Sequence, residues 1–189
     1  MKRDKASLVH RPRVLKATQV TLKDGRLATI RQAVPDDAQA ATDFVNIVTG
    51  ENKFLLRERV TWTIDEERQT LASADGQTRV FFVAVISGRL SGMHDITRGK
   101  WSKNAHVAEL AISCLPDCRG VGLGTALLSK GIAWARSVAV RKLTLHALAT
   151  NERAIGLYRK MGFVDEARLR GQYIIDGEPI DDLFMALWL

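Results

Sequence analysis

Cysteine is scarce in this 189-residue chain, aromatic residues are few, and no long apolar run occurs. The two cysteines, Cys114 and Cys118, have a spacing that by itself marks neither a structural bridge nor a zinc site. Both are expected as free thiols of a reducing compartment, the cytoplasm. No apolar stretch reaches the roughly 18–20 residues that span a bilayer. The basic segment from Met1 to Lys16 lacks the apolar core of a secretory signal, so neither export nor a membrane partner is expected. Aromatic residues make up 6% of the chain, without the stacking pattern of an RNA-binding sheet. No internal repeat or low-complexity linker divides the chain.

Hydrophobic residues are 46% of the total, enough for a core, and the length fits one domain. The net charge of +7 suits an anionic partner such as a phosphorylated cofactor, nucleic acid or a ribosome surface. Much of the excess lies in Lys2, Arg3, Lys5, Arg11, Arg13 and Lys16. Residues 1–17 are therefore expected as a flexible basic tail, and residues 18–189 as a single domain.

Along that domain, Thr18 to Lys23 and Leu27 to Val34 flank the hairpin signal Asp24-Gly25. Pro35-Asp36-Asp37 opens a helix that runs through Phe44, Val45 and Val48 and stops near Gly50. Asn52 to Thr61 is ambiguous. Thr63-Ile64-Asp65-Glu66 has the form of a capping box and opens a second helix to about Ala74. Arg79 to Ile86 and Leu90 to Thr97 read as a hairpin turned at Ser87-Gly88. His106 to Leu115 is the next strand, with Val107, Glu109, Ala111 and Ser113 on one face and Ala108, Leu110, Ile112 and Cys114 on the other. A helix from Gly122 to Val138 buries Leu123, Leu127, Gly131, Trp134 and Val138. Lys142 to Leu148 is a strand. Asn151 caps a helix with Ala154, Leu157, Tyr158 and Met161 on its apolar stripe, and Gly162 ends it. Phe163 to Arg168, Gln172 to Ile175 and Leu183 to Leu189 are the expected final strands. The strand–helix–strand unit in the middle implies a right-handed parallel crossover.

The most informative stretch lies inside that unit. Arg119-Gly120-Val121-Gly122-Leu123-Gly124-Thr125 joins a strand to a helix, so backbone N–H groups and the positive end of a helix converge on one point. Glycines remove the Cβ atoms that would hold a phosphate away. A P-loop would need Gly-Lys-Ser/Thr, and Gly124-Thr125-Ala126 has no lysine. A dinucleotide fold would place the turn after its first strand and an acidic residue after the next. Here several strands precede the turn, and the next one ends His146-Ala147-Leu148-Ala149-Thr150.

Arg119-x-x-Gly122-x-Gly124 resembles the acetyl-CoA pyrophosphate loop of the GNAT acetyltransferase superfamily. The segment from Asn151 to Phe163 resembles that family's Asn-x-x-Ala-x-x-Leu-Tyr-x-x-x-Gly-Phe element. The resemblance is sharpest between His106 and Phe163. It implies an α/β (α+β) fold: a mixed, mostly antiparallel twisted sheet, with a central parallel strand pair splayed around acetyl-CoA and helices on both sides. It implies acetyl-CoA as cosubstrate, with Ile112, Ser113 and Cys114 offering backbone groups to the pantetheine. Arg119, Gly120, Val121, Gly122, Leu123, Gly124 and Thr125 would hold the pyrophosphate, and Asn151 would bond the pantetheine or a bridging water. Tyr158 matches the position of the general acid. Glu109 is the first choice for the base, with His146 or water as alternatives.

The activity so implied is transfer of acetyl to a primary amine by direct attack in a ternary complex. The acceptor is a protein N-terminus, a polyamine or a small amine. Residues from Phe44 to Thr61, His94 to Ser102 and Gly171 to Asp182 are expected to shape its site. A non-catalytic acyl-CoA sensor module is the alternative. Nucleic acid or ribosome contact and a homodimer stay open, and no metal is expected.

Overall fold

The computed structural model describes residues 15–51 and 59–189. Most of the basic tail and residues 52–58 of the expected acceptor region lie outside the described residues. One sheet organises the domain, with strands in the order β1-β2-β3-β4-β5-β6-β8-β7. These are β1 (Thr18–Thr21), β2 (Leu27–Gln32), β3 (Arg79–Ile86), β4 (Arg89–Arg98), β5 (Val107–Cys114), β6 (Lys142–Leu148), β7 (Val164–Ile175) and β8 (Glu178–Trp188). All neighbours are antiparallel except β5 and β6. The crossover between that parallel pair is α3 (Leu123–Ser137).

The other helices are α1 (Ala38–Thr49), α2 (Ile64–Ala72) and α4 (Glu152–Lys160). Their ends obey local chemistry. Thr63 accepts from the Glu66 N–H and Glu66 returns a bond to the Thr63 N–H, a completed capping box worth about 1 kcal/mol. Asn151 Oδ1 accepts from the Ala154 N–H at 3.2 Å. Among the described residues, no helix is long and apolar enough to cross a membrane.

Helices cover the two faces of the sheet separately. On one face α3 packs so closely that a Cβ added to Gly92 would lie 2.8 Å from Leu127 Cδ1. A Cβ at Gly131 would collide with His94 and Ile96 of β4. α4 lies beside α3, with Leu157 Cδ2 3.0 Å from where a Gly124 Cβ would sit. The fully buried Leu115, Leu123, Leu127, Leu128, Leu143 and Leu145 fill this side, each contributing about 1.5–3 kcal/mol. α1 and α2 cover the opposite face over β3 and β4, leaving a cleft.

The end of the chain departs from the expected three strands. β7 is continuous from Val164 to Ile175, with register shifts between Asp165 and Ala167 and between Leu169 and Tyr173. Arg168-Leu169-Arg170-Gly171 reads locally as a break because both its faces are solvated. The partner strand supplies what local pattern lacks: Asp181 of β8 accepts from the Gly171 N–H at 2.8 Å and pairs with Arg168 at 2.6 Å. The segment becomes a bulged strand rather than a loop. The acidic stretch from Glu178 to Asp182 is likewise part of β8 and not a loop.

Candidate active site

β5 and β6 pair only through Val107/Lys142, Ala108/Leu143 and Glu109/Thr144. Beyond that rung they diverge, while β4 follows β5 to Cys114 and β8 follows β6 to Leu148. The sheet therefore has a gap in its middle. Among the described residues, no strand pairs with the backbone of residues 110–114 on that side, so an extended ligand with amide groups fits there as an added strand. Ile112, Ser113 and Cys114, the residues expected to meet the pantetheine, lie on this edge.

The glycine turn closes one end of the gap. Gly120 and Gly122 have φ of 82° and 97°, a region that costs residues with a Cβ about 1–2 kcal/mol. Gly122 is the N-cap of α3, and no side chain caps it. The first N–H groups of a 15-residue helix thus point outward at Leu123, Gly124 and Thr125. Val121 accepts from the Lys23 N–H at 2.9 Å, which ties the turn to the β1–β2 hairpin.

Arg119 takes a different place from the loose phosphate-binding cation that the motif suggests. Its Nη1 donates to Glu51 at 2.8 Å, its Nη2 pairs with the other carboxylate oxygen, and its Nε donates to the Cys114 carbonyl at 2.9 Å. The side chain clamps the end of β5 to the end of α1. The guanidinium over the turn belongs to Arg153, whose Nη2 is 2.6 Å from where a Gly120 Cβ would sit. Arg153 lies inside the segment from Asn151 to Phe163, but nothing in the sequence shows that it reaches back to the turn.

Tyr158 is buried on α4, with its ring centroid 5.9 Å from that of Phe163. Burial pushes its phenol up to about 12, and the nearby Cys114 thiol adds to the effect. The group stays protonated at neutral pH and can donate. Burial also pushes the Cys114 thiol up to about 12, with Arg119 opposing. A thiol so held is no nucleophile. Cys118 is buried and accepts from Arg26 Nη1 at 3.4 Å, and both cysteines are free.

On the opposite face lies a cleft of about 450 Å³. Phe44, Val45, Val48, Trp62, Phe81 and Met93 form its apolar walls, and Glu67, Thr70, Arg79 and Asp95 its polar ones. Ala111, Ile112 and Ser113 form its border with the gap. Burial pushes the Asp95 carboxyl up, Arg79 at 3.5 Å opposes, and Glu109 adds repulsion. Glu109 is exposed on this same face, since Thr97 and Glu109 are cross-strand partners. His146 of β6 faces this side too, with Nδ1 2.5 Å from Asp182 of β8.

The other two described histidines serve elsewhere. His94 is buried under α3 with Nδ1 2.8 Å from the Ala111 carbonyl, and burial pushes it down to about 4. His106 precedes the first paired rung, at the closed end of the β5–β6 pair. Of the ranges expected to shape the acceptor site, Phe44, Val45, Val48 and Asp95 line this cleft. Arg79, Phe81 and Met93 of the cleft lining fall outside those ranges, because period-two alternation puts them on one face of each strand but does not aim them at the gap.

A model of the acetyltransferase (GNAT) family matches residues 48–163, well over half of the chain. The protein belongs to that family. It is 28% identical over 163 residues to a mycothiol acetyltransferase of Frankia casuarinae, a match covering 80% of this chain and 46% of that protein. The chain thus spans less than half the length of that curated relative. An acetyltransferase of the GNAT family from Streptococcus pneumoniae superposes with a TM-score of 0.81 at 28% identity, covering 86% of this chain and 99% of that one. The fold is shared by yncA from Salmonella typhimurium, solved with its cofactor acetyl-CoA, at a TM-score of 0.78 and 23% identity over 86% of this chain and 94% of that one.

Proposed function

We propose that this protein is an acetyl-CoA-dependent N-acetyltransferase acting on a primary amine that arrives as a cation. The observation that carries this reading is the gap between β5 and β6, with an anion-binding turn at one end and a separate cleft on the opposite face. A donor and an acceptor can then meet through the sheet from different sides.

Bound acetyl-CoA would supply an activated acyl group. The chain fits it through the open edge of β5, the uncapped start of α3 and the Arg153 guanidinium. Holding both reactants at attack distance is worth about 7–11 kcal/mol of the barrier. A backbone N–H of residues 112–114 would face the thioester carbonyl and steady its developing negative charge. Tyr158, on the helix side, gives its proton to the leaving sulfur. Asn151 caps α4, and would bond the pantetheine or a bridging water.

Carboxylates of the cleft face favour a cationic acceptor. Glu67, Asp95 and Glu109 gather there beside Arg79, in a chain whose net charge is +7. The apolar walls suit an amine carried on a hydrocarbon or peptide body. Three acceptor types meet this description: a protein N-terminus, a polyamine and a small amine. Thiol release from acetyl-CoA, measured with spermidine, amino-acid amides and peptides of varied N-terminus, tests the reading. Turnover with at least one cationic amine is expected. Tight acetyl-CoA binding without turnover across that panel would replace it with the acyl-CoA sensor.

A further inference from the structure

His146 and Asp182 form a pair that the glycine turn and the Asn151 segment do not explain. Asp182 is 1% exposed. A carboxylate so placed needs a partner that offsets lost hydration. Its hydrogen-bond partner is His146 Nδ1 at 2.5 Å. Tyr173 of β7 also senses its charge. The Phe184 ring, 5.0 Å from the imidazole centroid, restrains the imidazole plane. A carboxylate on Nδ1 selects the tautomer that carries its proton there, so Nε2 holds the lone pair. The His146 side chain is 44% exposed, which leaves Nε2 open to a ligand.

The position matters as much as the pair. Thr144 is the last residue of β6 that pairs with β5. His146 is the next side chain on that face, so it stands at the mouth of the gap. Tyr158 approaches the gap from the other face, near Cys114. Glu109 sits at the last closed rung beside Asp95, where a second carboxylate adds attraction for a cation.

We infer that His146 takes the proton of the acceptor ammonium and that Asp182 is its positioning residue. The inference rests on the acetyltransferase reading above. One proton passes from the ammonium to Nε2 and on to solvent, and the freed electron pair forms the C–N bond. As the C–S bond breaks, Tyr158 protonates the sulfur. The second proton lost by the nitrogen replaces that of Tyr158 through solvent. Asp182 compensates the charge of the transient imidazolium.

Two measurements test this. His146→Gln, at a half-exposed site that the fold tolerates, should lower kcat with spermidine or an N-terminal alanine peptide by about a hundredfold or more. Acetyl-CoA affinity by calorimetry should stay within about twofold. Nitrogen-15 NMR of the wild-type imidazole should show Nδ1 protonated and Nε2 bare, and Asp182→Asn should mix the tautomers and cut kcat about tenfold. A merely structural Asp182 would leave the tautomer unchanged. Wild-type turnover retained by His146→Gln, or an Nε2-protonated ring in the wild type, would overturn the inference alone. Absence of acetyl-CoA binding by the wild type would overturn the acetyltransferase reading and the inference with it.

Discussion

On the helix face of the gap, the groups we assign to the donor come from three short stretches, residues 112–114, 119–125 and 151–158. On the cleft face, Asp95, Glu109, His146 and Asp182 come from four different strands. The helix face works mainly through backbone: glycine conformations, an uncapped helix start and an open strand edge. The cleft face works through side chains whose charges modify one another. A phosphorylated donor makes the same demands wherever it binds, so backbone can meet them. An acceptor is distinguished by its own shape and charge, which only side chains read.

Separation of the faces has measurable consequences. The largest is expected at Tyr158. Tyr158→Phe should lower kcat by about a hundredfold to ten-thousandfold and leave acetyl-CoA affinity within about twofold. Since burial pushes the phenol up to about 12, the acid keeps its proton across the usual assay range. The pH profile should therefore keep its shape in the variant and lose only height. A variant as fast as wild type would remove the acid from the helix face.

His94 marks the cost of packing a titratable ring under α3. Its native state holds the neutral ring down to about pH 4, against an ordinary value of 6.5. The unfolded chain takes up the proton first, so stability is full above 6.5 and falls as pH drops through this window. The loss approaches about 3 kcal/mol. Urea denaturation at a series of pH values should show the decline, and His94→Leu should flatten it. An unchanged slope would mean that other groups dominate acid lability.

Gly122→Val tests whether the backbone carries the donor. With φ at 97°, a β-branched residue is strained by about 1–2 kcal/mol or reshapes the turn. Acetyl-CoA affinity by calorimetry should weaken by about tenfold or more, while the cleft stays intact. Asp95→Asn probes the other side with a smaller effect. KM for spermidine should rise about fivefold with little change in kcat, and the difference should shrink as salt screens it. A rise in KM for acetyl-CoA instead would merge the two faces into one site.

Much of this fold follows from short-range rules. Asn151 caps α4 because its side chain reaches a free N–H three residues on. Thr63 and Glu66 close their capping box for the same reason. β3 was legible because seven consecutive apolar residues, Val80 to Ile86, lie between turn signals. The bulged course of β7 was not, since its continuity depends on Asp181 in β8. Arg119 shows how a distant residue can engage a side chain that a motif assigns to a ligand. Its motif position suggests a phosphate ligand, but Glu51 at the end of α1 claims the guanidinium.

Sequence alone determined that a strand, a glycine turn and a helix would follow one another, and that a tyrosine-bearing helix would come after them. Those features depend on neighbours within a few residues, and backbone sterics and capping act at that range. Tertiary structure alone decided that the parallel pair opens after Glu109, that Arg153 covers the turn, and that Asp182 lies against His146. Each depends on the register between strands or the packing of helices distant along the chain. A hydrogen bond needs contact in space, so two side chains 36 residues apart can form one pair only after the sheet has brought them together.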